Sequence, residues 1–105
     1  MAGQASISTD ILARYAADAA LEVVGVRALA ESPLPGRRGV KVAGADGELR
    51  LELHLAIEWG ASIPEVGRRV QERVREYLAS MANAVPVVVD VIVDEIGPRP
   101  TEQSP

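Results

Sequence analysis

From Glu48 to Trp59 the chain alternates without a slip. Leu49, Leu51, Leu53, Leu55, Ile57 and Trp59 fall on odd positions, and Glu48, Arg50, Glu52, His54, Ala56 and Glu58 on even ones. Period-two alternation of this length reads as a strand with one face on a core and the other toward solvent or a partner. A one-residue slip would put every leucine in water, so the register is strongly specified and the rest of the chain must cover the odd face. Composition narrows what can cover it. Hydrophobic residues are 48% of the 105, but aromatics are only 3% and Phe is absent. The core is therefore built from Val, Leu, Ile and Ala, which bury less area each than rings do. Such a core needs two layers of regular structure packed closely, and the length sets an expectation of one domain.

Two stretches carry helical spacing. In the first, about residues 9–23, Ile11, Leu12, Tyr15, Ala16, Ala19, Ala20 and Val23 share one side, with Arg14, Asp18 and Glu22 opposite. Ser8 is placed to cap it, Asp10 suits the helix dipole, and Gly25 marks its end. The second opens on Ser62-Ile63-Pro64-Glu65, a capping box in which Ser62 accepts from the Glu65 amide and Glu65 reaches back. It is expected to run to Met81 or Asn83. Its stripe is Ile63, Val66, Val70, Val74, Tyr77, Leu78 and Met81, with Arg68, Glu72, Arg75 and Ala79 opposite.

The remaining elements are strands and loops. Val26 to Ala30 is a short, weak strand. Residues 32–39, rich in Pro and Gly, form a loop. Val40 to Ala43 is a strand, and Asp46-Gly47 signals a hairpin into the long alternating strand. The last strand spans Val85 to Ile96, with Val87, Val89, Val91 and Val93 on one face and Val88, Asp90, Ile92 and Asp94 on the other. The expected fold is α+β in the order α-(β)-β-β-α-β: two helices packed on one face of a three- or four-stranded mixed sheet. Residues 1–6 and the polar, Pro-rich residues 97–105 are expected to be disordered, leaving 7–96 as a single domain. The open face would display Lys41, Arg50, Glu52, His54, Asp90 and Ile92.

Several classes of function find no support. The formal net charge of −4 argues against a surface selected for phosphate backbones. Without cysteine there is no disulfide or thiolate chemistry, which fits a reducing compartment. The first residues show no signal peptide, and no apolar run is long enough to span a bilayer. His54 is the single histidine, too few for a nucleophilic triad or a histidine-based zinc site, and reads as a solvated or face-packed residue. Asp90 and Asp94 lie roughly 13 Å apart along a strand, too far to share a proton or one metal unless a neighbour such as Glu52 helps, and read as solvated carboxylates that also protect a sheet edge. Gly44-Ala45-Asp46-Gly47 matches the G-x-x-G of KH domains, but it lies between strands and carries an acid that repels phosphate. Arg68, Arg69, Arg73 and Arg75 are interleaved with Glu65, Glu72 and Glu76, the pattern of a solvated helix face. No catalytic, cofactor-binding or metal-ligating residue is identified.

The pieces together resemble a known family. Ile7-Ser8 precedes the first helix, Val24-Gly25-Val26 follows it, and Gly39-Val40-Lys41-Val42 opens the hairpin. Then come Trp59-Gly60-Ala61-Ser62-Ile63-Pro64-Glu65, Val70-Gln71 with Val74, Met81, and the Val-x-Val strand ending at Ile96. In this order, over about residues 6–96, the chain resembles the alkaline shock protein or Gls-type envelope stress response family of Gram-positive bacteria. Ala82-Asn83-Ala84 and Val89-Asp90-Val91 depart from the family pattern. The resemblance implies a non-enzymatic cytoplasmic protein without cofactors, reaching the membrane only through an anchor protein and able to associate with itself. An interaction module would use the sheet face, with Arg50, His54, Val88 and Ile92 as contact residues, by a mode such as strand addition. The alternative for that face is simple solvation, and the sequence does not choose between them. A KH-like RNA-binding domain is the other reading of the element order. The acidic balance weighs against it.

Overall fold

The structure is a computed structural model and describes residues 7–30, 39–45 and 48–99. Its centre is the alternating segment, here strand β3 (Glu48–Ile57). Leu51, Leu53, Leu55 and Ile57 are at most 1% exposed, as the odd-face pattern requires. Two short strands share one edge of β3, both antiparallel to it. These are β1 (Val26–Leu29), opposite Ile57 to Leu55, and β2 (Val40–Ala45), opposite Leu53 to Glu48. Between them the ladder continues: Ala30 N donates to His54 O (2.8 Å), and His54 N donates to Gly39 O (2.7 Å). β1 and β2 are thus one line of chain along β3, interrupted by residues 31–38, and the pairing of the weak first strand, left open by its sequence, is settled. Gly39 makes the junction. Its φ is +64°, and a Cβ there would sit 2.5 Å from Ala30 O and 2.9 Å from His54 O.

The other edge of β3 takes β4 (Val88–Ile96) in parallel, so the four-stranded sheet is mixed. A parallel neighbour needs a crossover, and helix α2 (Ile63–Ala82) supplies it. With α1 (Thr9–Leu21), α2 covers the odd face of the sheet. Ala16, Ala19 and Ala20 are 0% exposed, as are Val70, Val74 and Leu78. Small residues on α1 let the two layers approach closely, which offsets the shortage of rings. Tyr15 and Tyr77 meet edge-to-face across the helices at 5.8 Å, and Arg73 crosses from α2 to Glu22 at 2.9 Å. The expected fold class is the observed one.

Boundaries differ from the expected ones, each for a physical reason. α1 stops at Leu21 rather than near Val23, because Glu22 N turns back to Ala19 O and Ala20 O. The chain then passes Gly25 (φ +101°), where a Cβ would lie 2.7 Å from Val66 Cγ2. Ser62 Oγ accepts from Glu65 N (3.4 Å), but the Glu65 carboxylate holds Arg69 (2.7 Å), so only half of the expected capping box forms. Ile63 and Met81, assigned to the stripe of α2, are 39% and 51% exposed and lie in its first and last turns. α2 closes at Asn83 in the left-handed region (φ 50°), with Asn83 N and Ala84 N both donating to Leu78 O. Alternation alone puts Trp59 on the core face. The strand ends at Ile57, however, so the indole is 51% exposed, with the Arg99 guanidinium 5.4 Å above it. β4 begins at Val88 rather than Val85, so Val87 is 51% exposed while Val89 is buried and Val91 and Val93 are half-buried. Of the termini expected to be disordered, residues 1–6 and 100–105 lie outside the described residues, as does the Asp46-Gly47 turn signal. Gly97 is buried and donates to Ile57 O (2.9 Å).

Candidate interaction face of the sheet

The even positions of β3 set out the uncovered face, and the register places its neighbours. Arg50 lies between Ala43 of β2 and Val88 of β4. Glu52 lies between Lys41 and Asp90, His54 beside Ile92, and Ala56 between Ala28 of β1 and Glu95. The candidate contact residues therefore fall into two cross-strand pairs, Arg50 with Val88 and His54 with Ile92. Val88 and Ile92 are half-buried, Arg50, Lys41 and Asp90 exposed. Arg50 is also paired loosely with Glu48 (3.5 Å).

His54 is more than a solvated side chain. Its Nε2 lies 2.9 Å from Glu52 Oε2, and its Nδ1 lies 2.8 Å from Asp94 Oδ2. Both neighbours are acceptors, so both contacts are hydrogen bonds only when both ring nitrogens carry protons. The hydrogen bond to Glu52, aided by Asp94 and opposed by partial burial, holds the imidazole pKa above its ordinary value of 6.5. Asp94, a solvated carboxylate by its sequence alone, is instead a partner of this ring. Parity places Asp94 on the right face, but the parallel register that brings it to His54 depends on the crossover through α2. A bulge completes the placement. The register runs Leu55↔Val93 and then Ala56↔Glu95, so Asp94 is the extra residue. Without it Glu95 would align with Ile57, a core position, whereas the bulge brings Ile96 there instead.

The rest of the surface offers less. Three of the four arginines of α2 are engaged: Arg68 with Glu72 (2.8 Å), Arg69 with Glu65 (2.7 Å), and Arg73 with Glu22 (2.9 Å) and Glu76 (3.6 Å). The shallow depression beside Val23 and Val24 is lined by these paired charges. Gln71 Nε2 donates to Val89 O (2.9 Å), so α2 already occupies one acceptor of β4. Among the described residues no group of three His, Cys, Asp or Glu is arranged to hold a metal, and no helix is long and apolar enough to cross a membrane.

Similarity to known proteins agrees with this architecture. The chain is 30% identical over 91 residues to YqhY, an uncharacterized protein of Bacillus subtilis (strain 168), covering 77% of this chain and 67% of YqhY. Its fold is similar to the MamM-CTD: a structure of residues 215–293 of that protein superposes with a TM-score of 0.57 at 10% identity, covering 84% of this chain and 99% of the other. The manganese form of a MamM-CTD variant gives a TM-score of 0.56 at 11% identity, with the same coverage. At such identity the likeness is one of fold. The model of the alkaline shock protein family, described by a cell envelope-related function, matches residues 1–98, and the chain belongs to that family.

Proposed function

We propose that this protein is a non-enzymatic, cytoplasmic scaffold of the envelope, or alkaline, stress response of Gram-positive bacteria, and that it binds itself or a membrane anchor protein through the open sheet face. The observation that supports this is the pairing of Arg50 with Val88 and of His54 with Ile92 on a face that neither helix covers. Half-buried apolar side chains set among charges are the make-up of a protein contact rather than of a phosphate-binding surface. Membership in an envelope-related family supplies the setting, and an anchor protein would account for membrane association by a chain whose described helices cannot span a bilayer.

The test is affinity capture of the whole chain from detergent-solubilised envelope of its host, with and without nuclease. It is repeated with Ile92→Asp and, as a control on the far side of the molecule, Arg75→Glu. Recovery of a small membrane protein or of the chain itself, insensitive to nuclease and lost only with Ile92→Asp, is the expected result. Recovery of RNA, lost on nuclease treatment, would overturn the reading in favour of nucleic-acid binding. Capture unaffected by Ile92→Asp would move the contact off the sheet face.

A further inference from the structure

His54 joins two elements of different status. Glu52 is on β3, the strand that pairs with all the others, whereas Asp94 is on the edge strand β4 at its bulge. The ring lies between them, with side-chain exposure of 30% against 39% for Glu52 and 44% for Asp94. A neutral imidazole has one N–H, so it can donate to only one of two carboxylates. At the other nitrogen a lone pair would then face a carboxylate oxygen less than 3 Å away, which is repulsive, and one contact must open. Glu52 is held two residues away on a fully paired strand. Asp94 is the more exposed partner and lies where the ladder is already irregular.

We propose that His54 is a protonation-controlled clamp: with both nitrogens protonated it ties the end of β4 to the centre of the sheet through Asp94, and loss of one proton releases that end. Release extends past the strand. Just beyond Asp94, Ile96 aligns with Ile57, Gly97 N donates to Ile57 O, and Arg99 lies over Trp59. The other charged groups on the strands around this site are Arg50 and Glu48 from β3, Arg27 from β1, Lys41 from β2, and Asp90 and Glu95 from β4; the helices lie on the opposite face. His54 is the chain's single histidine, the side-chain type that ordinarily titrates near neutral pH. Its titration runs above 6.5, since both carboxylates favour the charged ring.

The inference does not depend on the partner reading, and its test contains no partner. Trp59 is the chain's single tryptophan. In the whole chain, the imidazole resonances of His54 and the fluorescence of Trp59 are followed from about pH 6 to about pH 9.5. The expected result is one shared transition with its midpoint above 6.5. In Asp94→Asn the imidazole midpoint moves down toward its ordinary value and the fluorescence transition disappears. In His54→Gln the fluorescence is flat. Circular dichroism confirms that each variant is folded, and amide exchange at residues 94–97 replaces fluorescence for any variant that alters the Trp59 environment directly. Fluorescence and exchange that stay constant while the imidazole titrates would overturn the clamp, as would an Asp94→Asn midpoint that does not move.

Discussion

At the scale of single residues, two positions differ sharply from their neighbours in environment. His54 is one. Because its folded-state pKa lies above the unfolded value of 6.5, the folded state binds the proton more tightly. The stability this brings is complete below about pH 6.5 and is lost as pH rises through the raised folded value. Urea midpoints measured across that window should fall for the native chain and stay level for His54→Gln. Gly39 is the other. It combines a positive φ with a position where a Cβ would meet two backbone oxygens, one of which, His54 O, accepts the ladder bond from Ala30 N. Gly39→Ala should therefore cost about 2 kcal/mol or more, read as a lowered urea midpoint, whereas the same change at Gly67, where a Cβ meets nothing, should be neutral or stabilising. Neither effect is legible locally. The sequence shows a histidine in an outward position and a glycine after a loop, and only the neighbours across the sheet give each its role.

At the scale of elements, local signals decided type and tertiary contacts decided ends. The capping box at Ser62 illustrates both. Its hydroxyl caps α2 as the motif predicts, but Glu65 lies within reach of Arg69 and takes that partner instead. Ser62→Ala should cost about 1 kcal/mol. Glu65→Ala should cost the exposed i,i+4 pair, about 0.2–0.5 kcal/mol, together with a first-turn acid that favours the helix dipole, and thermal melts of the two variants would compare the contributions. The alternation of β3 sets its core face from Leu49 to Ile57 and fails at Trp59, because alternation has meaning only while the strand has neighbours to pair with. Leu53, with strands on both sides and no exposure, should cost about 2–5 kcal/mol when truncated to Ala. Leu49, half-buried near the strand's open end, should cost clearly less. Calorimetry of the pair would show whether burial, rather than residue type, sets the loss.

At the scale of the whole molecule, β1 and β2 form one line along β3, in which Ala30 and Gly39 flank His54. If that line is what the sheet needs, the intervening residues are not. Replacing 31–38 with a linker of about three glycine and serine residues should keep the fold and change stability by about 1 kcal/mol or less, since closure entropy varies only with the logarithm of loop length. Circular dichroism and a urea titration would check this, and loss of the folded state would show that the fold needs those residues. The sequence by itself determined the two-layer α+β plan, the order of elements, and which residues of β3 face the core. Those properties follow from spacing along one strand or one helix, where period two and period 3.6 are carried by adjacent residues. The tertiary structure alone decided that β1 continues β2, that β4 pairs in parallel with a bulge at Asp94, and that His54 lies between two carboxylates. Each of these depends on the register between segments distant in sequence, and register is set by how the covalent crossover and the packed helices bring the strands together.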